Sequence, residues 1–124
     1  MLVVNQTKGK SMSRKYTFFV HMNARKEWLR LSREERNQYF GEIQKEIFSK
    51  YPSVSIRLYD VEAFTTKCSD ITVYETANIQ DYYFLIEELR DSKIYTVPYF
   101  DIIDIIPAIE DGFVEFESSD ETNA

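Results

Sequence analysis

The chain contains a single histidine, His21, in the alternating segment over residues 15–22. A neutral imidazole near pH 7 is the natural group for proton transfer. We therefore consider His21 a candidate base toward an enolisable or phenolic substrate. The alternative is a strand histidine held by one hydrogen bond.

Arg57 and Tyr59 are two residues apart in the segment over residues 54–60, so they project from the same face of a strand. A guanidinium binds oxyanions through two parallel hydrogen bonds, which suits a carboxylate or a phenolate. With His21 they form our candidate catalytic set. The alternative is an ion pair that fastens a dimer, with an acid drawn from Asp60, Glu62, Asp101 and Asp104.

Asp101 and Asp104 are three residues apart in the segment YFDIIDII, a spacing that predicts opposite faces of a strand. One of them is expected to supply a counter-charge for Arg57 or His21, or merely to form an ion pair, and the pattern leaves open which one. With one histidine and one cysteine only a carboxylate metal site is possible, and because no EF-hand spacing appears we expect no metal. With Gly9, Gly41 and Gly112 as the only glycines, we expect no phosphate-binding loop and no cofactor.

Four strands and two main helices must position these side chains. The patterns predict strands over residues 15–22, 54–60, 70–75 and 99–106, and helices over residues 33–51 and 79–90. Ser32 with Glu35 reads as a capping box, and Asn78 as an N-cap. Pro107 is expected to end the last strand, and Gly41 to allow a close backbone approach. A short strand is expected over residues 113–117.

The order β-α-β-β-α-β predicts an α+β, ferredoxin-like fold, with a four-stranded antiparallel sheet and helices on one face. We expect an N-terminal extension over residues 1–14, one domain over residues 15–116 and an acidic, disordered tail over residues 117–124. The uncovered sheet face should then carry an apolar and aromatic set together with one face of the last strand. That set is Thr17, Phe19, His21, Arg57, Tyr59, Thr72 and Tyr74.

Such a face is a poor solvent surface, so we expect a second copy to cover it in a homodimer. Phe19, Tyr74, Asp101 and Asp104 are the expected lining of a cavity between the two sheets. If Phe19, Tyr59, Tyr74 and the isoleucine pairs fill that space, the interface has only a packing role and the enzyme hypothesis fails.

Charge, cysteine content and the length of the apolar runs argue against several classes of protein. The chain has 124 residues with a net charge of −6, and its basic residues are concentrated before residue 51. The net negative charge argues against a nucleic-acid partner. One cysteine allows no internal disulfide, and no apolar run has the length of a membrane span. We therefore expect a cytoplasmic protein without a membrane partner.

Three segments carry a family resemblance. They are KYTFFVHMNARKEWLRLSREERNQYF, RLYDVEAFTTKCSDITVYET and LIEELRDSKIYTVPYFDIIDIIPAIEDGF. Over residues 15–113 the chain resembles the darcynin family, small bacterial proteins of uncharacterised function. The family is similar to the dimeric α/β barrels, which include antibiotic-biosynthesis monooxygenases, muconolactone isomerases and stress-induced barrels. The resemblance implies the fold and the dimer, but it brings no catalytic residues.

Two functional hypotheses follow. The first is a cofactor-independent enzyme or binder of a small apolar or phenolic compound, with the site between two sheets. The second is a non-enzymatic interaction or stress-response protein with a filled sheet interface.

Overall fold

A four-stranded antiparallel sheet forms the centre of the molecule, for which the computed structural model describes residues 14–123. The predicted extension over residues 1–14 lies outside the described residues, apart from Arg14. The strands follow the order β2-β3-β1-β4 across the sheet, which confirms the ferredoxin-like architecture. They are β1 (Tyr16–Ala24), β2 (Ser55–Asp60), β3 (Asp70–Thr76) and β4 (Phe100–Ala108).

Helices cover one face of this sheet, which we call the inner face; the opposite one is the outer face. Both predicted caps are confirmed: the Ser32 hydroxyl accepts from the Glu35 amide at 3.0 Å, and Asn78 caps α3. The predicted helix over residues 33–51 instead ends at Glu46 and is followed by a 3-10 turn. The helices are α1 (Lys26–Leu29), α2 (Arg33–Glu46), α3 (Ile79–Arg90), α4 (Lys93–Thr96) and α5 (Gly112–Asn123).

The core lies between the inner face and α2 and α3. Phe18 and Val20 of β1 pack there with Ile43 of α2 and with Leu85 and Leu89 of α3. Leu85 has no exposed surface, which places this side of α3 at the centre of the core. None of the helices in the described range is both long and apolar enough to span a membrane.

The prediction that Thr72 and Tyr74 lie on the outer face is wrong. Tyr74 is paired with Phe18, and Thr72 with Val20, so all four side chains share the inner face. Thr72 is 2% exposed and Tyr74 is 4% exposed. Both faces of β3 carry apolar side chains, so its alternation did not identify the buried face.

The prediction that Asp101 and Asp104 face opposite ways is also wrong. Asp104 pairs with His21 and Asp101 with Asn23, two residues of the same face of β1. The register shifts between His21 and Met22, which leaves Ile103 as an extra residue in β4. Such a bulge turns two residues three apart onto one side. Both aspartates therefore lie on the outer face.

The C-terminal part of the chain differs from its prediction in three respects. Pro107 does not end β4; it pairs with Phe18, and its missing N–H is tolerated because β4 is an edge strand. The segment predicted as a strand over residues 113–117 belongs to α5, which also crosses the expected boundary between residues 116 and 117.

The expected close backbone approach at Gly41 of α2 is not seen, because a Cβ there would meet nothing within 4 Å.

Candidate functional site

A cavity of about 400 Å³ lies between the inner face of the sheet and the helices. We call it the helix–sheet cavity. Val20, Leu58 and Tyr74 belong to its sheet wall, and Phe40 and Ile43 of α2 to its helix wall. Leu58 is 52% exposed, so the cavity is reached along the β2 edge, which the helices leave partly uncovered.

Aromatic rings support one end of the cavity. Trp28, the only tryptophan of the chain, packs against Tyr39, Tyr99 and Phe100 at centroid distances of 5.2–6.2 Å. The Tyr39 hydroxyl accepts a hydrogen bond from the Lys93 amide at 3.1 Å. Burial raises the pKa of Tyr39. This end therefore presents aromatic surface, together with the neutral phenol of Tyr39.

Three more tyrosines, Tyr74, Tyr82 and Tyr95, pack in or against the core on the inner side of the sheet. Tyr82 of α3 stacks on Phe18 at 3.8 Å and meets the Tyr74 ring edge-on at 5.5 Å. Burial raises the pKa of Tyr82 to about 12, and it also raises the pKa values of Tyr74 and Tyr95. All three are neutral at physiological pH, so they offer hydroxyl groups and ring faces rather than charges.

Two carboxylates lie side by side in the cavity wall, at the end of β2 and the start of β3. Asp60 pairs directly with Asp70, and both line the cavity. The Ser69 hydroxyl donates to Asp70 at 2.6 Å. Burial, followed by the neighbouring Asp60 carboxyl, raises the pKa of Asp70, against the lowering effect of Ser69. With Glu62 they form a group whose carboxylate oxygens lie within 4.8 Å of one another.

One cation lines the cavity from the helix side. Arg36 is in the first turn of α2, and its Nη2 donates to the Leu29 carbonyl at 2.9 Å. Its Nε is buried and has no hydrogen-bond acceptor in the part of the chain that the structure describes. The sequence held a signal for this position: Arg36 precedes Phe40, Ile43 and Ile47 at helical spacing on the apolar stripe.

The predicted catalytic side chains lie on the other side of the sheet. Tyr59, Ile71, His21 and Asp104 form one row across the outer face. Arg57 belongs to the next row, with Val73, Phe19 and Ile106. Arg57, Tyr59 and Phe19 line a shallow hollow of about 590 Å³, which His21 does not reach.

The remaining predicted site residues do not converge on one place. Tyr74 lines the helix–sheet cavity rather than the outer hollow. Asp101 accepts from Arg25 at 3.0 Å, and Asp104 accepts from its neighbouring Ile105 amide at 2.9 Å. Arg57 forms no ion pair with an acid among the described residues. The ion-pair alternative for Arg57 is therefore not seen in one copy of the chain.

Comparison with known proteins identifies the family. The family model for darcynin, a domain of unknown function, matches residues 3–122. The chain belongs to the darcynin family. Darcynin 1 of Acinetobacter baumannii is 59% identical over 88 residues, which cover 71% of this chain and 98% of that protein. Darcynin of Chromobacterium violaceum is 47% identical over 74 residues, or 60% of this chain and 94% of that protein.

Solved structures share the fold. A mutant of chlorite dismutase from Candidatus Nitrospira defluvii matches with a TM-score of 0.64 at 10% identity, over 80% of this chain and 41% of that one. A heme-binding protein from Thermus thermophilus matches with a TM-score of 0.61 at 15% identity, over 77% and 39%. The chain thus spans about two fifths of each of these structures. At such identities the darcynin chain shares only their fold.

A heme held by histidine does not fit the helix–sheet cavity. The only histidine of the chain, His21, lies on the outer face and lines neither hollow. The groups of the cavity wall that could ligate iron are oxygen and thioether groups, from residues such as Tyr39, Asp70 and Met22. The likeness to a heme-binding protein therefore brings no axial histidine to this cavity.

Proposed function

We propose that this darcynin family member binds a small, largely aromatic molecule in the helix–sheet cavity. The observation that carries the proposal is the cavity itself, about 400 Å³ enclosed by apolar and aromatic side chains with a few polar groups. Ligand pockets typically have volumes of about 300–1,000 Å³ and this kind of lining. The first hypothesis drawn from the sequence is thus kept in its binding form, with the site moved to the other side of the sheet.

The chemistry of the walls supports an aromatic ligand. Trp28, Tyr39 and Phe100 present ring faces and edges, which favour offset-stacked or edge-on contacts with another ring. The phenols of Tyr74 and Tyr95 are neutral hydrogen-bonding groups within otherwise apolar surface. They would orient a phenolic or carbonyl oxygen without the cost of burying a charge.

N-phenyl-1-naphthylamine, a neutral dye that fluoresces in apolar surroundings, tests the proposal. We expect saturable binding to the wild-type protein. Leu58→Trp, at the open edge of the cavity, should weaken that binding at least about tenfold because the larger ring fills the entrance. Ile79→Trp is the matched control, since Ile79 is 51% exposed and lines neither cavity.

Two results would contradict the proposed binding site. Equal binding by the two tryptophan variants would contradict the helix–sheet cavity as the site, and so would absence of dye binding to the wild-type protein. Circular dichroism confirms that each variant folds. If Leu58→Trp does not fold, Ile105→Trp blocks the same cavity from β4, where Ile105 is 41% exposed. Failure of the dye to bind would favour the second hypothesis, a non-enzymatic interaction protein.

A homodimer through the outer face is a second proposal, supported by the apolar side chains exposed there. Phe19 is 37%, Tyr59 46% and Ile106 44% exposed on this one side of the sheet. A second copy packed face to face would remove them from water and enclose His21, Arg57 and Tyr59. Any catalytic use of these three residues depends on that enclosure.

Light scattering coupled to gel filtration tests the dimer. We expect twice the chain mass of 14.8 kDa. Phe19→Asp should give a monomer, because it places charge in the centre of the interface. Phe84→Asp should remain a dimer, since Phe84 is a comparably exposed ring on α3. A monomeric wild-type protein would refute the dimer, but it would not bear on the proposed ligand site in the helix–sheet cavity.

A further inference from the structure

The polar groups of the helix–sheet cavity define the charge of its ligand. Arg36 brings a permanent positive charge to the helix wall. Of its donors, Nη2 is used by the Leu29 carbonyl, whereas the buried Nε has no acceptor among the described residues. A buried donor without an acceptor costs free energy, and the cost is greater for a charged group.

No acidic side chain in the described range lies within ion-pair distance of this cation. The ion pairs of residues 14–119 involve Arg14, Arg25 and Lys50, and Arg36 is not among them. Glu35, the nearest acid in the sequence, is committed to the capping box, where its Oε1 accepts from the Ser32 amide at 2.8 Å. The Arg36 guanidinium therefore lines the cavity without an ion-pair partner among the described residues.

We propose that the ligand is an aromatic anion, with a carboxylate, sulfonate or phenolate group bound by Arg36. This inference rests on the proposed function and deepens it by naming the class of ligand. A planar guanidinium binds such oxyanions with two charge-assisted hydrogen bonds. The anionic group binds the Arg36 guanidinium, while the rings occupy the apolar space beside Trp28 and Tyr39.

The two aspartates of the sheet wall set the orientation of the ligand. Asp60 and Asp70 end β2 and begin β3, whereas Arg36 belongs to α2 on the facing wall. An anionic group is repelled by the aspartates and attracted by Arg36, so the ligand binds with its charge toward the helices. A neutral aromatic of the same shape gains neither effect.

A matched pair of dyes tests the inference. 8-Anilino-1-naphthalenesulfonate has the ring system of N-phenyl-1-naphthylamine with one added sulfonate. We expect the wild-type protein to bind the sulfonate dye about tenfold more tightly than the neutral dye. Arg36→Gln should abolish this preference, so that the two dyes bind with similar affinity. Arg33→Gln, an exposed arginine of the same helix turn, should keep the preference.

The results distinguish this inference from the proposed function. If the neutral dye binds in the cavity but the sulfonate dye binds no better, the anion inference is refuted and the cavity stands. If Arg36→Gln retains the preference, Arg36 is not the binding group. Should Arg36→Gln fail to fold, Arg36→Lys keeps the charge without the planar fork, and we expect it to lose part of the preference. If neither dye binds, the proposed function itself fails.

Discussion

Phe18 and Tyr74 are cross-strand partners on the inner face, and the Tyr82 ring of α3 packs on both of them. This relationship decides which side of the sheet is the interior. Because of this pairing Tyr74 lines the helix–sheet cavity, whereas His21, Arg57 and Tyr59 lie on the opposite side of the sheet. The site therefore depends on the register of β1 and β3.

The buried tyrosines predict loss of stability at alkaline pH. Burial raises the pKa of Tyr82 to about 12 and raises that of Tyr74, whereas the unfolded chain ionises both near the ordinary value of 10.0. Above pH 10 the unfolded state loses protons that the folded state keeps, so the free energy of unfolding falls as pH rises. Denaturant unfolding across this range measures the slope.

Tyr74→Phe and Tyr82→Phe should each reduce that slope, because each removes one titrating group. Tyr83→Phe is the control, since Tyr83 is 60% exposed. A slope equal in all three variants and the wild-type protein would contradict the packing of Tyr82 on the inner face.

The Asp60–Asp70 pair predicts a stability change at acidic pH. The folded state holds the pKa of Asp70 above the ordinary value of 3.8, through burial and through the adjacent Asp60 carboxyl. Between the unfolded and folded pKa values the folded state binds more protons, so the free energy of unfolding falls as pH rises through this window. Asp70→Asn should therefore stabilise the protein at neutral pH.

That gain should disappear once the pH is below the ordinary pKa, where Asp70 is protonated in both states. Glu87→Gln, an exposed acid of α3, should show no comparable gain at neutral pH. Chemical denaturation at neutral and acidic pH measures both variants. A neutral-pH stability lower for Asp70→Asn than for the wild type would contradict the destabilising carboxylate pair.

Gly41 predicts a stabilising substitution. It lies inside α2, and an added Cβ would meet nothing within 4 Å. Gly41→Ala should raise the free energy of unfolding by about 1 kcal/mol, since alanine is the better helix former and restricts the unfolded chain. Thermal denaturation measures the gain. Gly112→Ala should gain less, because its Cβ would lie 2.7 Å from the Ile109 side chain.

Local chemistry made much of the fold predictable from sequence. Ser32 with Glu35 and Asn78 set the starts of α2 and α3, because a cap needs only residues a few positions apart. The ferredoxin-like fold followed from the succession of strands and helices along the chain. These features require no knowledge of distant contacts.

The site was less predictable because it depends on distant pairing. Alternation in β3 did not tell Tyr74 from Val73, since both faces of the strand carry apolar side chains. The bulge at Ile103 places Asp101 and Asp104 on the same face of the sheet. No glycine in this segment indicates a bulge in the sequence. The unfilled donor of Arg36 depends on what α1, α2 and the sheet place around it.

A crystal structure of the protein with 8-anilino-1-naphthalenesulfonate would locate both the ligand and the group that binds its sulfonate. We expect the rings between the helices and the inner face, with the sulfonate at the Arg36 guanidinium. A dye bound at Arg57 on the outer face, with the helix–sheet cavity empty, would contradict both the proposed site and the role of Arg36.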